Sequence, residues 1–304
     1  MASLPILDLR SFLQGSAAQQ QQFVQTLGQA LETVGFFALE HHGISPSLIQ
    51  TAYGAAADFF TLSDAIKQRY ERPEIHQQRG FTRFGQEHAK DSNAADLKEF
   101  WHVGREAELP NPWPQEVPAF QSSMAALYQE LEQCAAHLLR ACTLYLDLPD
   151  NFFAIEAAEG KSILRILHYP PISEEISAHS LRAAPHEDIN LITLLCESTG
   201  PGLELWHNDD WLPVESLPGQ IIVDTGDMLQ ALTNGLFKST THRVVNHDIQ
   251  STRRFSLPFF MHPRPELDLT PLPGCIARTG GQPRFPVQTA GQYLHQRLQE
   301  IGLA

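Results

Sequence analysis

The pattern of apolar positions divides the chain into a helical first half and a strand-rich second half. Between Ser16 and Val34, the residues Phe23, Leu27, Ala30, Leu31 and Val34 recur at steps of three or four, the spacing that places side chains on one helix face. Gly35 stops this helix, and Gln19 to Gln22 falls on its solvated side. Gly35 to Leu39 then has the length and composition of a strand. Ser45 followed by Pro46 starts another helix, and Leu62-Ser63-Asp64 opens one more. From Pro118 to Leu148, Leu127, Leu131, Leu138, Leu139 and Leu146 predict a long helix that buttresses the core.

From Lys161 onward the period changes. Ile189 to Leu195, Thr240 to Val245 and the stretch with Phe255, Leu257, Phe259 and Phe260 are short apolar or β-branched runs. Turn chemistry such as Ser198-Thr-Gly-Pro-Gly202 and Asn208-Asp-Asp210 separates them, so they read as strands. Ala290 to Ile301 predicts a last helix. The segment Leu109-Pro-Asn-Pro-Trp-Pro114 breaks the chain, giving an N-terminal region, 1–110, and a larger one, 111–304, with its strand-rich core at 158–265.

Composition narrows the partners more than the fold. The 304 residues are enough to bury a sizeable core. Lys and Arg number 21 against 35 Asp and Glu, a net charge of −14, which disfavours nucleic acid and anionic membranes. There is no basic segment leading into an apolar one at the N-terminus and no run of about eighteen apolar residues. A cytoplasmic protein that binds neither nucleic acid nor membrane is the expectation. Cys134, Cys142, Cys196 and Cys275 show no C-x-x-C spacing and read as reduced, buried residues.

The candidate chemistry lies at Ala184-Pro-His186-Glu-Asp188, where a His and an Asp two apart on extended backbone point to the same side. His242, in a later strand, would supply a third ligand. Two neutral imidazoles and one carboxylate on one face of an octahedron leave three positions open, which suits non-haem Fe(II). A jelly roll, two antiparallel sheets curled over a central pocket, is the simplest way to bring these strands together. Zinc accepts the same ligand types, but its hydrolytic sites need a general base. No H-E-x-x-H occurs, and Glu187 falls on the opposite side of the strand.

Ordered motifs extend along nearly the whole chain. They are Leu4-Pro-Ile-Leu-Asp-Leu9, Gly35-Phe-Phe-Ala-Leu-Glu-His-His-Gly43, Arg79-Gly-Phe81, Lys98-Glu-Phe100 and Leu164-Arg-Ile-Leu-His-Tyr-Pro-Pro171. After the His-x-Asp segment come Gly202-Leu-Glu-Leu205, Gly226-Asp-Met-Leu-Gln230, Thr233-Asn-Gly235, Lys238-Ser239, His242-Arg-Val244 and Arg254-Phe-Ser256. With these, the chain resembles the isopenicillin N synthase-like family of Fe(II)- and 2-oxoglutarate-dependent dioxygenases.

The resemblance implies a mainly β fold with added helices: a double-stranded β-helix core preceded by a helical region. It implies that His186, Asp188 and His242 hold iron, that Arg254 and Ser256 bind the distal carboxylate of 2-oxoglutarate, and that Tyr169 supports it. Dioxygen and a small organic substrate would complete the reaction, with ascorbate as an accessory reductant. The products would be succinate, carbon dioxide and a hydroxylated or desaturated molecule. Physically, a buried carboxylate needs a partner, and an arginine fork in an otherwise apolar strand provides one.

Two departures restrict the transfer. Leu167 stands where plant members carry an Asn that holds the cosubstrate's other end, leaving His168 either to compensate or to pack. Asp224 also stands where relatives often show Asn. The family's 2-oxoglutarate-independent oxidases and cyclases keep the Arg-x-Ser pair, so that chemistry is the alternative activity, and a non-catalytic cupin-like metal binder is a third. Residues 76 to 102, with Arg79-Gly-Phe, Gly85-Gln-Glu87 and Lys98 to Val103, place polar and aromatic groups where relatives line the pocket mouth.

Overall fold

A computed structural model of the chain describes residues 4–87, 96–171, 181–215, 217–245 and 253–303. Its strands, numbered in chain order, are β1 (Ile6–Asp8), β2 (Phe36–Glu40), β3 (Gly80–Thr82), β4 (Glu99–Gly104), β5 (Ile163–Tyr169), β6 (Ala183–His186) and β7 (Ile192–Cys196). They continue with β8 (Leu203–His207), β9 (Asp210–Pro213), β10 (Gln220–Thr225), β11 (His242–Val244), β12 (Arg254–Ser256) and β13 (Pro258–Met261). The major sheet runs β1-β2-β10-β7-β13-β5-β4-β3, with β12 also paired to β5, and the minor sheet runs β6-β11-β8-β9. All pairs are antiparallel except β1 with β2. The N-terminal strands therefore extend the same sheet that the second half builds.

The helices follow the apolar periodicity closely. The first long one, Ala17–Thr33, buries Phe23, Leu27, Ala30 and Leu31. Its start is fixed by a reciprocal cap in which Ser16 Oγ accepts from the Gln19 amide and Gln19 Oε1 accepts from the Ser16 amide, so Gln19 has a local structural task. The helix Pro46–Phe60 begins where expected, but Ser45 makes no side-chain cap, its hydroxyl meeting Ser47 Oγ instead. The expected long helix spans Pro118–Tyr145, and Leu127, Leu131, Leu138 and Leu139 are essentially inaccessible. Deleting most of the Leu131 side chain as Leu131→Ala should cost about 2–5 kcal/mol, read as a lower urea midpoint with an unchanged slope.

Period-two alternation then separates two interiors. On β5, Leu164 and Ile166 join the main core beneath the helices, whereas Arg165, Leu167 and Tyr169 face the space between the sheets. On β7, Ile192 and Leu194 turn to the helices, and Thr193 and Leu195 turn inward. On β10, Ile221 and Val223 do the former, Ile222 and Asp224 the latter. One face of the major sheet is thus sealed by helices, and the other is left for polar chemistry. All four cysteines are buried and unpaired, and burial pushes the thiols of Cys134, Cys142 and Cys196 up to about 12, so they are inert small packing groups.

Candidate metal centre and its cavities

The register of the minor sheet builds the centre. His242 at the start of β11 lies opposite His186 at the end of β6, and their ring centroids are 4.4 Å apart. Asp188 follows beyond β6, where its carbonyl accepts from the Asp227 amide at 2.7 Å and ties the turn to the helix Asp227–Leu232. Asp188 Oδ1 is 3.9 Å from His186 Nε2 and 3.7 Å from His242 Nε2, and one ligand atom from each of the three lies within 4.8 Å of the others.

Outer hydrogen bonds orient these donors. His186 Nδ1 donates to the Ala184 carbonyl at 2.7 Å and His242 Nδ1 to the Thr240 carbonyl at 3.1 Å, because a carbonyl can only accept. Each Nε2 is thereby left with its lone pair toward Asp188 Oδ1. Burial, followed by the neighbouring His242, lowers the His186 pKa to about 4, which keeps the imidazole neutral at pH 7. Thr193 donates its hydroxyl to Asp188 Oδ2. A divalent metal fits this donor set: two oriented imidazole nitrogens, one charged oxygen, and second-sphere contacts on all three. Thr193→Val should retain the fold and weaken metal binding by about 10–100-fold, measurable by competition with a chelator. Glu187 accepts from the Thr241 hydroxyl; it lies just past the end of β6 and lines the second cavity described below.

A cavity of about 70 Å³ leads from the three donors toward β12 and is lined by His186, Asp188, His242, Tyr169, Arg254 and Ser256, among others. All six residues singled out in the sequence meet there. Pairing of β12 with β5 sets Arg254 opposite Tyr169 and Ser256 opposite Leu167. The guanidinium of Arg254 lies 5.0 Å from the Tyr169 ring centroid, with Nη1 donating to Ser256 Oγ at 3.4 Å and Nε to the Gly200 carbonyl at 3.1 Å. Arg254 is 2% exposed, yet no carboxylate of the described residues lies within ion-pair distance of it.

The two departures now have a physical setting. His168 is on the opposite face of β5, stacked between Phe60 and Phe255, with Nδ1 2.8 Å from Glu99 Oε1. It packs and does not reach the cavity that Leu167 lines. Asp224 does line it; burial and the adjacent Asp188 charge raise its pKa well above the usual carboxylate range, favouring the neutral acid that has the shape of Asn.

A second cavity, about 100 Å³, adjoins the same donors and is lined by Glu87, Lys98, His102, Arg165, His262 and Leu294, among others. Lys98 and Glu87 lie in the 76–102 stretch, and His102 closes it. Neither Arg165 nor His262 was legible as a site residue: Arg165 lies in the Leu164–Pro171 motif with no role assigned to it, and His262 follows an apolar run with no motif around it. Strand pairing brings them together: the register of β4 on β5 sets His102 opposite Arg165, and pairing of β13 with β5 carries His262, just past β13, to the same wall. Phe81 and Trp101, from the same stretch, belong to the helix-side core.

Family models cover both halves of the chain. Residues 4–119 match the model of the non-haem dioxygenase in morphine synthesis N-terminal region, and residues 160–263 match the 2OG-Fe(II) oxygenase superfamily. A proline hydroxylase, buaE, of Petromyces alliaceus is 32% identical, with 96% of this chain and 97% of the relative covered. The 2-oxoglutarate-dependent dioxygenase frbA of Dothideomycetidae sp. (strain 11243) is 30% identical over 97% and 96%. A crystal structure of a 2OG-Fe(II) oxygenase family protein from Caulobacter crescentus matches with a TM-score of 0.85 at 35% identity, covering 99% of each chain. A full-length Neurospora crassa protein in complex with alpha-KG matches with a TM-score of 0.86 at 28% identity, covering 97% of this chain and 96% of that one. The expected jelly-roll core, the helical N-terminal region and the two-part family match thus agree, and the chain belongs to the isopenicillin N synthase-like superfamily of Fe(II)- and 2-oxoglutarate-dependent dioxygenases.

Proposed function

We propose that His186, Asp188 and His242 hold the catalytic iron, and that Arg254, Ser256 and Tyr169 receive the far carboxylate of 2-oxoglutarate. The observation that carries this is Arg254, a buried cation with no anionic partner among the described residues, in the same cavity as the three donors. A dicarboxylic oxo acid chelating iron at one end would bring a negative charge to it. Ser256 adds a hydroxyl and Tyr169 a flat wall. Iron, when bound, supplies activation of dioxygen. One oxygen atom goes to succinate as the oxo acid loses carbon dioxide, and the other reaches the substrate as a hydroxyl or leaves as water when a double bond forms.

The chain's own residues bind, orient and exclude water. Region 111–304 carries the chemistry on this reading, and 1–110 walls the substrate side through Gln78 and Glu87 and, with the neighbouring β4, through Lys98 and His102. The prime substrate is a small organic molecule. No helix among the described residues is long and apolar enough to cross a membrane. We place the enzyme in the cytoplasm, and its net charge of −14 disfavours binding to nucleic acid or anionic membranes.

The test is oxygen-dependent release of succinate from 2-oxoglutarate by the Fe(II)-loaded protein, with ascorbate as reductant. Succinate formation that depends on Fe(II) is the expected result. Substrate turnover without any 2-oxo acid would replace this reading with the oxidase or cyclase alternative.

A further inference from the structure

The cavity of about 100 Å³ beside His186 and Asp188 is walled by a charge cluster that binding of iron and 2-oxoglutarate does not use. Glu87 Oε1 takes two cations, Lys98 Nζ at 2.6 Å and Arg165 Nη1 at 3.0 Å. Lys98 also reaches Asp96 Oδ2 at 2.8 Å. Within this cluster two carboxylates thus face two cations; of the other charged residues on the wall, Arg297 has its own partners in Glu300 at 3.0 Å and Asp227 at 3.9 Å, and Glu187 accepts from the Thr241 hydroxyl. His102 adds no charge: its Nδ1 donates to the Gln77 carbonyl at 2.8 Å, leaving Nε2 to accept from Arg165 Nε at 2.7 Å. The guanidinium carbon of Arg165 lies 4.4 Å from the Phe100 ring centroid and 5.3 Å from that of Phe260.

Within this balanced cluster some hydrogen-bonding capacity is unused. Glu87 is 7% exposed, and its Oε2 is buried with no partner among the described residues. An ionised carboxylate oxygen in that state is costly unless something donates to it. On Arg165, Nε and Nη1 are taken, and Nη2 has no partner among the described residues. The unused acceptor and donor thus belong to one ion pair, Glu87 with Arg165, and both residues line the cavity.

We propose that this cavity takes an uncharged cyclic amide or imide, whose ring N–H donates to Glu87 Oε2 and whose adjacent carbonyl accepts from Arg165. The proposal rests on the iron and 2-oxoglutarate reading above and names its substrate class. Charge decides against the alternatives. A free carboxylate would compete with Glu87 for Arg165, and an ammonium would sit beside Lys98, which already shares the same carboxylate. An anion or a cation would leave the buried, balanced cluster with an uncompensated charge. The volume, below the ~150 Å³ of a cavity that admits benzene, limits the occupant to a single small ring. A neighbouring cavity of about 420 Å³ shares Ile163, His262, Leu294 and Leu298 with the first, so an apolar ring substituent has a place to go. Leu294 and Leu298 belong to the last helix, Ala290–Glu300, which closes that side.

The experiment uses the full chain under anaerobic conditions with Fe(II) and 2-oxoglutarate, whose visible charge-transfer band reports the cosubstrate independently. Uracil, hydantoin and 2-piperidone are titrated calorimetrically, alongside their N-methylated counterparts, proline and benzoate. At least one of the N–H rings should bind, and N-methylation should weaken it at least tenfold. Glu87→Gln should raise that Kd at least tenfold with the band unchanged, because the amide oxygen takes Lys98 and Arg165 and turns an NH₂ donor toward the ring N–H. The N-methyl comparison stands on the unmodified protein if the variant does not fold. Binding indifferent to N-methylation, binding of proline or benzoate alone, or no binding by any neutral ring with the band present would overturn the proposal. Ring binding that follows the expected pattern with no charge-transfer band would sustain it and overturn the cosubstrate reading instead.

Discussion

Asp188→Ala should abolish iron-dependent turnover and lower iron affinity by more than the about 10–100-fold that outer-shell changes cost. Among the described residues the centre offers a dication three protein donors, and Asp188 is the charged one of the three. Without it, two neutral imidazoles would face a charge of +2 in a largely buried pocket. His242→Ala and His186→Ala should give the same loss of turnover, since each removes one of three coordination positions and the tautomer-fixing bond behind it. The metal-free Asp188→Ala protein should remain folded, because the substitution also relieves the repulsion that pushes Asp224 toward its neutral form. Circular dichroism of the metal-free variants and iron analysis after desalting read the two effects separately. Iron-dependent turnover retained in any of the three would show that the ligands are elsewhere.

How much of this was legible in the sequence depended on whether a feature is local. The helices Ala17–Thr33, Pro118–Tyr145 and Ala290–Glu300 were, because helical periodicity is written within a single turn of sequence. The strand runs were found but overextended. Ile189 and Leu191 flank Asn190 and precede β7, since this segment forms the turn that ties Asp188 to the helix Asp227–Leu232. Thr240 and Thr241 precede β11 because their groups serve the site: the Thr240 carbonyl orients His242, and the Thr241 hydroxyl holds Glu187. The six candidate residues were recognisable by motif, and strand register gathers them in one cavity. The Glu87, Lys98 and Arg165 cluster was not recognisable as a unit, because its members come from a loop, the approach to β4, and β5, and no short motif spans them. His168 shows the same limit in reverse: adjacent in sequence to Leu167, it is turned by period-two alternation to the far face of the sheet, against Phe60 and Phe255.

Arg254→Ala should raise the Kd for 2-oxoglutarate by about 30-fold or more, corresponding to a loss on the order of 2 to 5 kcal/mol for truncating one partner of a buried charge pair. The size follows from burial. Arg254 is 2% exposed, so water cannot easily replace the guanidinium once it is gone, and the distal carboxylate would be left desolvated without a countercharge. Monocarboxylic 2-oxo acids, which have no distal charge, should lose much less affinity, so the variant should discriminate less among oxo acids than the parent does. Arg254→Lys should restore only part of the difference, because a point charge cannot reproduce the planar fork beside Tyr169 and Ser256. The charge-transfer band of the anaerobic Fe(II) complex, titrated with each oxo acid, gives all of these constants in one assay. Parent-like discrimination in Arg254→Ala would remove Arg254 as the anchor while leaving the metal ligands untouched, since the two ends of the cavity are held by different sheets: β12 on the major sheet carries Arg254, and β6 and β11 on the minor sheet carry the histidines.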